Sequence, residues 1–192
     1  MRFSRHLVPL LTIGTAEFYP YQVRRYMRER KRLDKELYPF TFSPEYAGLI
    51  ASEWEQLWEQ YYLPPRSLPN DSLIVDIGAG EGETAIFYSK HGYRRFVLIE
   101  PRVSPHLLHN VSLLERLAGC SVTLRTKLQP GALLPAQFVK MDCEGCEEVM
   151  DYPQEIPGVV EVHSRRAYIR YAELGFRAVK QVGAEVFLMR NF

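Results

Sequence analysis

The feature that most limits what this chain can fold into is a set of alternate glycines directly after an apolar segment. Leu73–Ile77 is short, apolar and rich in β-branched residues, which indicates a buried parallel strand. Gly78, Gly80 and Gly82 follow it, and a helical pattern begins near Glu83. Glycine lets the backbone close on a ligand and adopt positive φ, while a helix N-terminus presents free N–H groups. The stretch therefore predicts the strand–turn–helix unit of a nucleotide-binding α/β fold.

The details of this turn discriminate between classes of ligand. A dinucleotide fingerprint requires G-x-G-x-x-G, whereas the third glycine here comes one residue early, at Gly82. Glu81 and Glu83 would also repel a diphosphate. Asp76, at the strand end, suits a ligand with an amino group and a sulfonium centre. The pattern D-x-G-x-G-x-G resembles motif I of the class I S-adenosylmethionine-dependent methyltransferases, although a plain strand–helix turn of another α/β protein would fit this stretch too.

A second acid follows the next apolar run. Phe96–Glu100 has the composition of another buried strand and ends in a carboxylate before Pro101. A carboxylate at that place accepts both ribose hydroxyls in nucleoside-binding βαβ units. Its separation from Asp76 is close to the ~20 residues expected for such a unit. Glu100 is therefore a candidate ribose ligand.

Further blocks extend the resemblance over about residues 73–192. Segment 138–147, Phe-Val-Lys-Met-Asp-Cys-Glu-Gly-Cys-Glu, resembles the "iKiDvEGaE" block of the FkbM family of methyltransferases. Other blocks of that family are matched in the same order by residues 75–82, 99–101, 107–110, 160–163 and 174–176. The resemblance implies a Rossmann-like seven-stranded sheet, S-adenosylmethionine as cofactor and, usually, O-methylation of a hydroxyl.

Several positions depart from the family pattern. Gly80 stands where the family usually has Asn, and Glu81 replaces an apolar residue. Cys143 and Cys146 stand where Val and Ala are usual. The connection before Phe138 is short, and since it normally helps to enclose adenine, no adenine contacts are assigned.

Composition and charge exclude some classes of protein. We expect an N-terminal helical extension over residues 1–70 and an S-adenosylmethionine-binding domain over residues 71–192. Within the extension, residues 1–20 are expected to be irregular or to form one short helix. A formal net charge of +1 argues against a surface that is basic throughout. Three cysteines without the spacing of a disulfide-rich domain indicate a reducing compartment, and no stretch approaches the ~20 apolar residues of a membrane span. The sequence thus predicts a cytoplasmic protein without a membrane partner.

The N-terminal region predicts two helices of opposite charge. Residues 21–37 are strongly basic with a thin apolar stripe, which is typical of a polyanion-binding helix or of a solvated face. Ser43 and Pro44 form a helix start, and that pattern continues to about Tyr62. This second helix, 44–62, is acidic, and we interpret its aromatic stripe as core rather than as a stacking surface. The two helices could pack on each other, cap the sheet edge or form part of a substrate lid.

The remaining chain alternates apolar runs with helical patterns. Strands are predicted at 73–77, 96–100, 121–125, 137–141 and 158–162, followed by a helix near 165–174 and an antiparallel pair at 176–182 and 184–190. This order predicts a doubly wound, mostly parallel, Rossmann-like sheet with a C-terminal antiparallel hairpin. Ligands of such sheets lie at the carboxyl ends of the strands, which is where the candidate site residues fall.

Two residues are candidates for chemistry. Methyl transfer to an unactivated hydroxyl needs a base within hydrogen-bond reach. Asp142 could hold the amino group of the cofactor or act as that base, and His163, with an ordinary pKa near ~6.5, suits a base at neutral pH. The predicted catalytic pair is Asp142 and His163. The predicted cofactor-binding set is Asp76, Gly78, Gly80, Gly82, Glu100 and Asp142.

Other chemistry stays open for this region. A hard divalent cation could be bound by Asp142, Glu144, Glu161 and His163, although no spacing enforces it. Cys143 and Cys146 could form a zinc or redox pair, but further zinc ligands at matching spacing are missing. We therefore interpret the two cysteines as small residues in a tight turn.

The sequence as a whole predicts an S-adenosylmethionine-dependent methyltransferase that modifies a hydroxyl of a small molecule or glycan. One alternative is an RNA methyltransferase that binds RNA through the basic segment 24–35, although no Asn-Pro-Pro-Tyr-type motif of exocyclic-nitrogen methylases follows the fourth strand. The other is a non-catalytic module that kept the nucleoside pocket and lost the chemistry.

Overall fold

The computed structural model of the chain describes residues 11–13, 16–18, 32, 35–129, 133, 135–153, 155–182 and 185–190. Its elements in chain order are β1 (Leu11–Ile13), β2 (Ala16–Phe18), α1 (Pro44–Glu53) with a π-helical continuation (Trp54–Tyr62), β3 (Leu73–Ile77), α2 (Glu83–Lys90), β4 (Arg95–Ile99), α3 (Pro105–Ala118), β5 (Ser121–Arg125), β6 (Phe138–Met141), a 3₁₀ turn (Cys146–Glu148), β7 (Gly158–Val162), α4 (Arg165–Glu173), β8 (Arg177–Val182) and β9 (Glu185–Arg190).

The main sheet has seven strands in the order β5-β4-β3-β6-β7-β9-β8. Strands β5, β4, β3, β6 and β7 run parallel, and β9 lies antiparallel between β7 and β8. This confirms the predicted doubly wound, mostly parallel, Rossmann-like sheet with a C-terminal antiparallel hairpin. The strand order reverses between β3 and β6, and ligands of open α/β sheets bind at such a switch point. The loops after β3, β4, β6 and β7 are therefore the ones that can build a site.

Two hydrophobic layers cover the sheet. Ile74 belongs to the layer that contains Trp58 and Phe87, whereas its neighbour Val75 belongs to the layer that contains Tyr171. This alternation follows from the period of two of a β-strand. Strands buried on both faces are expected where helices cover a parallel sheet.

α1 begins at Pro44, as predicted, and its N-cap is Ser43. From Trp54 onward the helix is π-helical, where α-helix was predicted. Two side-chain hydrogen bonds there span five residues: Trp54 Nε1 donates to Glu59 Oε1 (3.0 Å), and Trp58 Nε1 donates to Glu53 Oε2 (3.2 Å). This spacing matches the i→i+5 repeat of a π-helix, which the sequence periodicity did not indicate.

The aromatic stripe of this helix is core, as predicted. Trp54 and Trp58 are 5% and 1% exposed, and their rings lie 5.1 Å and 5.9 Å from the ring of Phe87 on α2. Aromatic pairs at these separations stabilise a core beyond the area that they bury. The helix therefore packs on the first helix that follows the glycine turn.

The rest of the N-terminal region differs from expectation or lies outside the described residues. β1 and β2 form an antiparallel pair where irregular chain or a short helix was predicted. The basic helix predicted over 21–37 lies outside the described residues apart from Arg32 and residues 35–37, which are helical. The domain boundary at residue 70 stays a prediction. In the part of the chain that is described, no helix has the length and apolar character needed to cross a membrane.

Candidate active site

The glycine turn is wedged between the ends of β4 and β6. The N–H of Gly78 donates to the carbonyl of Ile99 (2.9 Å), and Gly78 has a φ of +76°. A Cβ on Gly78 would lie 1.7 Å from the carbonyl oxygen of Asp142. Glycine is required here because the loop after β6 passes directly over the turn.

Beneath the turn lies a buried ion pair. Lys140 of β6 and Asp76 of β3 are partners in the strand register, and Lys140 Nζ lies 3.2 Å from Asp76 Oδ1. Lys140 Nζ also donates to the carbonyl of Gly78 (2.9 Å) and lies 3.9 Å from Asp142 Oδ2. The hydroxyl of Thr84 donates to Asp76 Oδ2. Lys140 and Asp76 are 2% and 0% exposed, so this network fixes the turn from inside the sheet.

The two charges of this pair affect each other's pKa. Burial raises the pKa of Asp76, although Lys140 and the Thr84 hydroxyl oppose that shift. Burial alone would lower the pKa of Lys140, but the carboxylates of Asp76, Asp142 and Glu83 outweigh it and raise the pKa above its ordinary value. Lys140 is therefore a permanent cation under the glycine turn.

Glu100 follows β4 directly and contacts the turn from the other side. Its Oε2 accepts the N–H of Gly80 (3.0 Å), and its Oε1 accepts the N–H of Arg102 (2.8 Å). The candidate ribose ligand is thus fixed to the middle glycine by a charge-assisted hydrogen bond.

The two acids within the turn are buried, and Glu83 Oε2 accepts the N–H of Glu81 (2.8 Å). That N–H lies just before α2, among the groups with which a pyrophosphate would have to bond. Burial raises the pKa of Glu83 to about 8, with Lys140 opposing. The argument against a dinucleotide at this turn therefore depends on the occupied Glu81 N–H more than on the charge of Glu83.

His163, after β7, is enclosed by carboxylates. Its Nδ1 lies 3.2 Å from Glu147 Oε1, and its Nε2 lies 3.6 Å from Glu161 Oε1 and 3.9 Å from Glu144 Oε2. The hydrogen bonds to Glu147 and Glu161 raise the pKa of His163 to about 11, against the effect of burial. These surroundings favour the imidazolium at neutral pH, whereas a general base would have to be neutral.

α1 and its π-helical continuation pack against this side of the site. Tyr62 Oη donates to Glu161 Oε2 (3.4 Å), and Glu53 is held by Trp58. Burial raises the pKa of Glu53 to about 8, and Glu161 and Asp142 add to the shift. Burial likewise raises the pKa of Glu161 to about 7, with His163 opposing.

The acidic loop residues approach one another closely enough to hold a cation. The donor atoms of Asp142, Glu144 and His163 all lie within 4.8 Å of one another, and so do those of Glu161, His163 and Glu185. The first set contains three of the four residues suggested by the sequence. The metal alternative stays open.

Cys143 and Cys146 lie in the loop after β6, as predicted, but they form a disulfide with a Cα–Cα distance of 5.6 Å. The interpretation as small residues in a tight turn, preferred above to a redox pair, was wrong because the two thiols are bonded. Only two residues separate the cysteines, and the turn between them, with Glu144 at φ +52° and Gly145 at φ +117°, brings the two side chains together.

A cavity of about 620 Å³ lies beside His163, where β7, α4, β8 and β9 meet. Its lining includes His163, Arg165, Tyr168 and Lys180. The volume falls in the range of small-molecule sites.

The structure brings the sequence-predicted residues into two neighbouring groups. The N–H of Gly80 is bonded to Glu100 at the turn, and Lys140 bonds the carbonyl of Gly78 and bridges Asp76 to Asp142 below it. Asp142 also lies near His163. Sequence reasoning did not assign Tyr46, Glu53, Tyr62 and Asn110 to the site. The resemblance of residues 107–110 to a block of the FkbM family was the one available signal, and it concerned Asn110 alone.

The raised pKa values of these acids and of His163 lead to a prediction about stability. Between about pH 5 and 9 the folded state holds protons that the unfolded state releases, since the pKa is raised to about 8 in Glu53 and to about 11 in His163. The free energy of unfolding should therefore fall as pH rises through this range. Urea denaturation at a series of pH values measures the free energy of unfolding.

Glu53→Gln should flatten the dependence of this free energy on pH between about pH 5 and 8, whereas Glu45→Gln, at an exposed position, should not. Stability that rises over this range would contradict the assignment.

No family model matches the chain, and no curated protein matches it. Solved structures with a similar fold include precorrin-6y C5,15-methyltransferase from Geobacter metallireducens, with a TM-score of 0.43 and 15% identity over 70% of this chain and 96% of that one. TrmK from M. capricolum, in complex with S-adenosylhomocysteine, has a TM-score of 0.47 and 12% identity over 65% of this chain and 63% of that one. An RNA methyltransferase from Salinibacter ruber, also with S-adenosylhomocysteine, has a TM-score of 0.44 and 16% identity over 70% and 86%. At these identities the likeness is one of fold alone.

Proposed function

We propose that the protein is an S-adenosylmethionine-dependent methyltransferase of FkbM type that methylates a hydroxyl on a small molecule or glycan. The observation that carries the proposal is the bond between the Gly80 N–H and Glu100 Oε2 (3.0 Å). It joins the glycine turn after β3, which is unsuited to a diphosphate, and the candidate ribose ligand after β4 into one surface. This surface lies next to the switch point between β3 and β6.

The residues at this surface fit the cofactor. Gly78, Gly80, Gly82, Glu100 and Asp142 would hold it, since they combine a close-approaching backbone with carboxylates suited to ribose hydroxyls and an amino group. When bound, the cofactor supplies an electrophilic methyl group. Asp76 is fully buried under the turn, so its role in this proposal is to hold Lys140 and the turn rather than to touch the cofactor.

Asp142 is the base in this proposal. Its side chain is 29% exposed, and its carboxylate lies within 4.8 Å of the donor atoms of Glu144 and His163. A carboxylate at that place can accept the proton of an acceptor hydroxyl. His163 contributes as a fixed imidazolium that orders Glu147 and Glu161. Alignment of the two ligands supplies most of the remaining acceleration.

Calorimetric titration with S-adenosylmethionine and S-adenosylhomocysteine tests the cofactor assignment. Wild type should bind both, and Glu100→Ala should weaken binding more than about tenfold because charge-assisted hydrogen bonds to the ribose are lost. The exposed Glu115→Ala on α3 is the matched control and should bind as wild type does. If wild type binds neither ligand, the glycine turn has only a structural role and the proposed function is wrong.

Two rivals are separated from this proposal by further assays. Transfer of a radiolabelled methyl group to a hydroxyl-bearing acceptor by wild type, and its loss in Asp142→Asn, would exclude a non-catalytic nucleoside-binding module. The basic segment on which the RNA alternative depends lies mostly outside the described residues, so that alternative stays a prediction. Salt-dependent association with RNA would support it, and no association at low salt would remove it.

A further inference from the structure

Residues 41–46, here called the strap, lead into α1 and run across the glycine turn. The N–H of Thr41 donates to Asn110 Oδ1 (2.9 Å), and Asn110 Nδ2 donates back to the carbonyl of Thr41 (2.8 Å). The N–H of Ser43 donates to Glu81 Oε2 (2.7 Å), and Asn110 Nδ2 also reaches the carbonyl of Glu81 (2.8 Å). The strap is therefore bonded both to α3 and to the turn itself.

The two side chains that anchor the strap are buried. Asn110 and Glu81 are 0% and 5% exposed, so the strap supplies partners that water cannot replace while it is closed. Glu81 is also a position at which the turn departs from the FkbM pattern. An apolar residue at position 81 could not accept a hydrogen bond from the Ser43 N–H. The bond to the strap is therefore a structural reason for Glu81 at this position.

Tyr46 extends from the strap onto the middle glycine. A Cβ on Gly80 would lie 2.5 Å from Tyr46 Cε1, so the ring fills the space into which a side chain at position 80 would project. This explains the second departure, Gly80 in place of Asn. Because the Gly80 N–H is bonded to Glu100, the Tyr46 ring and the candidate ribose ligand meet at the same residue.

The phenol of Tyr46 remains a hydrogen-bond donor at physiological pH. Burial, together with the nearby carboxylates of Glu83, Glu100 and Glu81, raises the pKa of Tyr46 to about 12. The side chain thus combines an apolar ring face with a neutral donor, which suits contact with a sugar.

We propose that Tyr46 is a cofactor-binding residue: the strap covers the glycine turn, and the Tyr46 ring forms the wall against which the ribose at Glu100 lies. The inference rests on the proposed function and adds the N-terminal region to the cofactor site. It follows that the strap has to detach from Glu81 and Asn110 when the cofactor exchanges.

Calorimetric titration with S-adenosylhomocysteine tests the contact. Tyr46→Ala should weaken binding at least about tenfold through loss of the ring, whereas Tyr46→Phe should lose less than about threefold. Glu115→Ala, at an exposed position of α3 outside the strap, should bind as wild type does. Unchanged or tighter binding by Tyr46→Ala overturns the proposal, because the ring then lies outside the pocket or blocks it.

Thermal unfolding tests the same contact without any ligand. Asn tolerates positive φ, so the strain of Gly80→Asn should come from its Cβ, which would lie 2.5 Å from Tyr46 Cε1 and 2.7 Å from Glu83 Oε1. The conflict with Glu83 is the same in every background, whereas the conflict with Tyr46 is absent from Tyr46→Ala. We expect Gly80→Asn to lower Tm by about 4 °C or more in wild type and by clearly less in the Tyr46→Ala background. Equal losses in both backgrounds would show that the two residues do not touch.

Hydrogen exchange separates the failure of this inference from the failure of the proposed function. S-adenosylhomocysteine should slow amide exchange over residues 41–46, and Glu81→Ala should accelerate it. No binding of S-adenosylhomocysteine to wild type overturns both proposals. Binding by wild type with unchanged affinity in Tyr46→Ala and unchanged exchange in the strap overturns this one alone.

Discussion

Lys140→Met is expected to destabilise the protein by about 3–5 kcal/mol at pH 7, because it leaves the Asp76 carboxylate buried without its cation. Lys140 Nζ lies 3.2 Å from Asp76 Oδ1 and donates to the Gly78 carbonyl, and both charged residues are almost fully buried. Methionine fills a similar volume, so the loss reports charge rather than a cavity. Urea denaturation followed by circular dichroism measures the free energy of unfolding.

The companion variants decide whether the buried charge is the cause. Asp76→Asn combined with Lys140→Met should recover more than half of the loss, since Asn carries no charge and its side-chain oxygen still accepts from Thr84. The loss in the single variant should also shrink at acid pH, where Asp76 takes up a proton. Lys127→Met, at an exposed lysine, should stay within about 0.5 kcal/mol of wild type. A cost below about 1 kcal/mol for Lys140→Met would show that the pair is not the support of the turn.

The architecture of the sheet follows from the sequence because its strands are buried on both faces. Leu73–Ile77 and Gly158–Val162 are apolar runs of strand length with no competing helical period, and both were placed to the residue. The glycine turn follows β3 directly, and its position in the sequence indicated the end of the sheet at which a ligand site is expected. The π-helical continuation of α1 was not predictable, because its aromatic spacing of four also fits an α-helix and the bonds over five residues depend on the folded core.

A candidate site residue could be proposed from the sequence where it lies at the end of a predicted strand. It could not be proposed where its role depends on contacts between segments that are distant in the sequence. Asp76, near the end of its strand, and Glu100, Asp142 and His163, each directly after a strand, were predicted as site residues from these places. The partner of Lys140 depends on the β3–β6 register, and the protonation of His163 depends on two carboxylates from the segment after β6 and one from β7. No local pattern contains either fact, since each is a property of tertiary packing.

Gly78→Ala is expected to cost more than about 4 kcal/mol or to prevent folding, and to abolish binding of S-adenosylhomocysteine in any protein that does fold. The added Cβ would lie 1.7 Å from the carbonyl oxygen and 2.7 Å from the carbonyl carbon of Asp142. Both atoms belong to backbone that the N–H of Asp142 ties to Ile77 (2.9 Å), so the conflict cannot be relieved by rotating a side chain. Either the glycine turn or the loop after β6 has to move, and the proposed cofactor site lies between them.

Gly119→Ala separates this steric conflict from the conformational preference of glycine. Gly119 ends α3 with a φ of +63°, close to the +76° of Gly78, but a Cβ there would meet no atom within 4 Å. Gly119→Ala should therefore lower the free energy of unfolding by only about 1–2 kcal/mol, which is the cost of placing a non-glycine residue in the left-handed region. The variant should bind S-adenosylhomocysteine as wild type does. Chemical denaturation of both variants under the same conditions gives the difference. Equal losses would mean that backbone strain alone accounts for Gly78 and that the loop carrying Asp142 is free to yield, whereas a much larger loss at Gly78 would establish that the turn and that loop form one rigid unit.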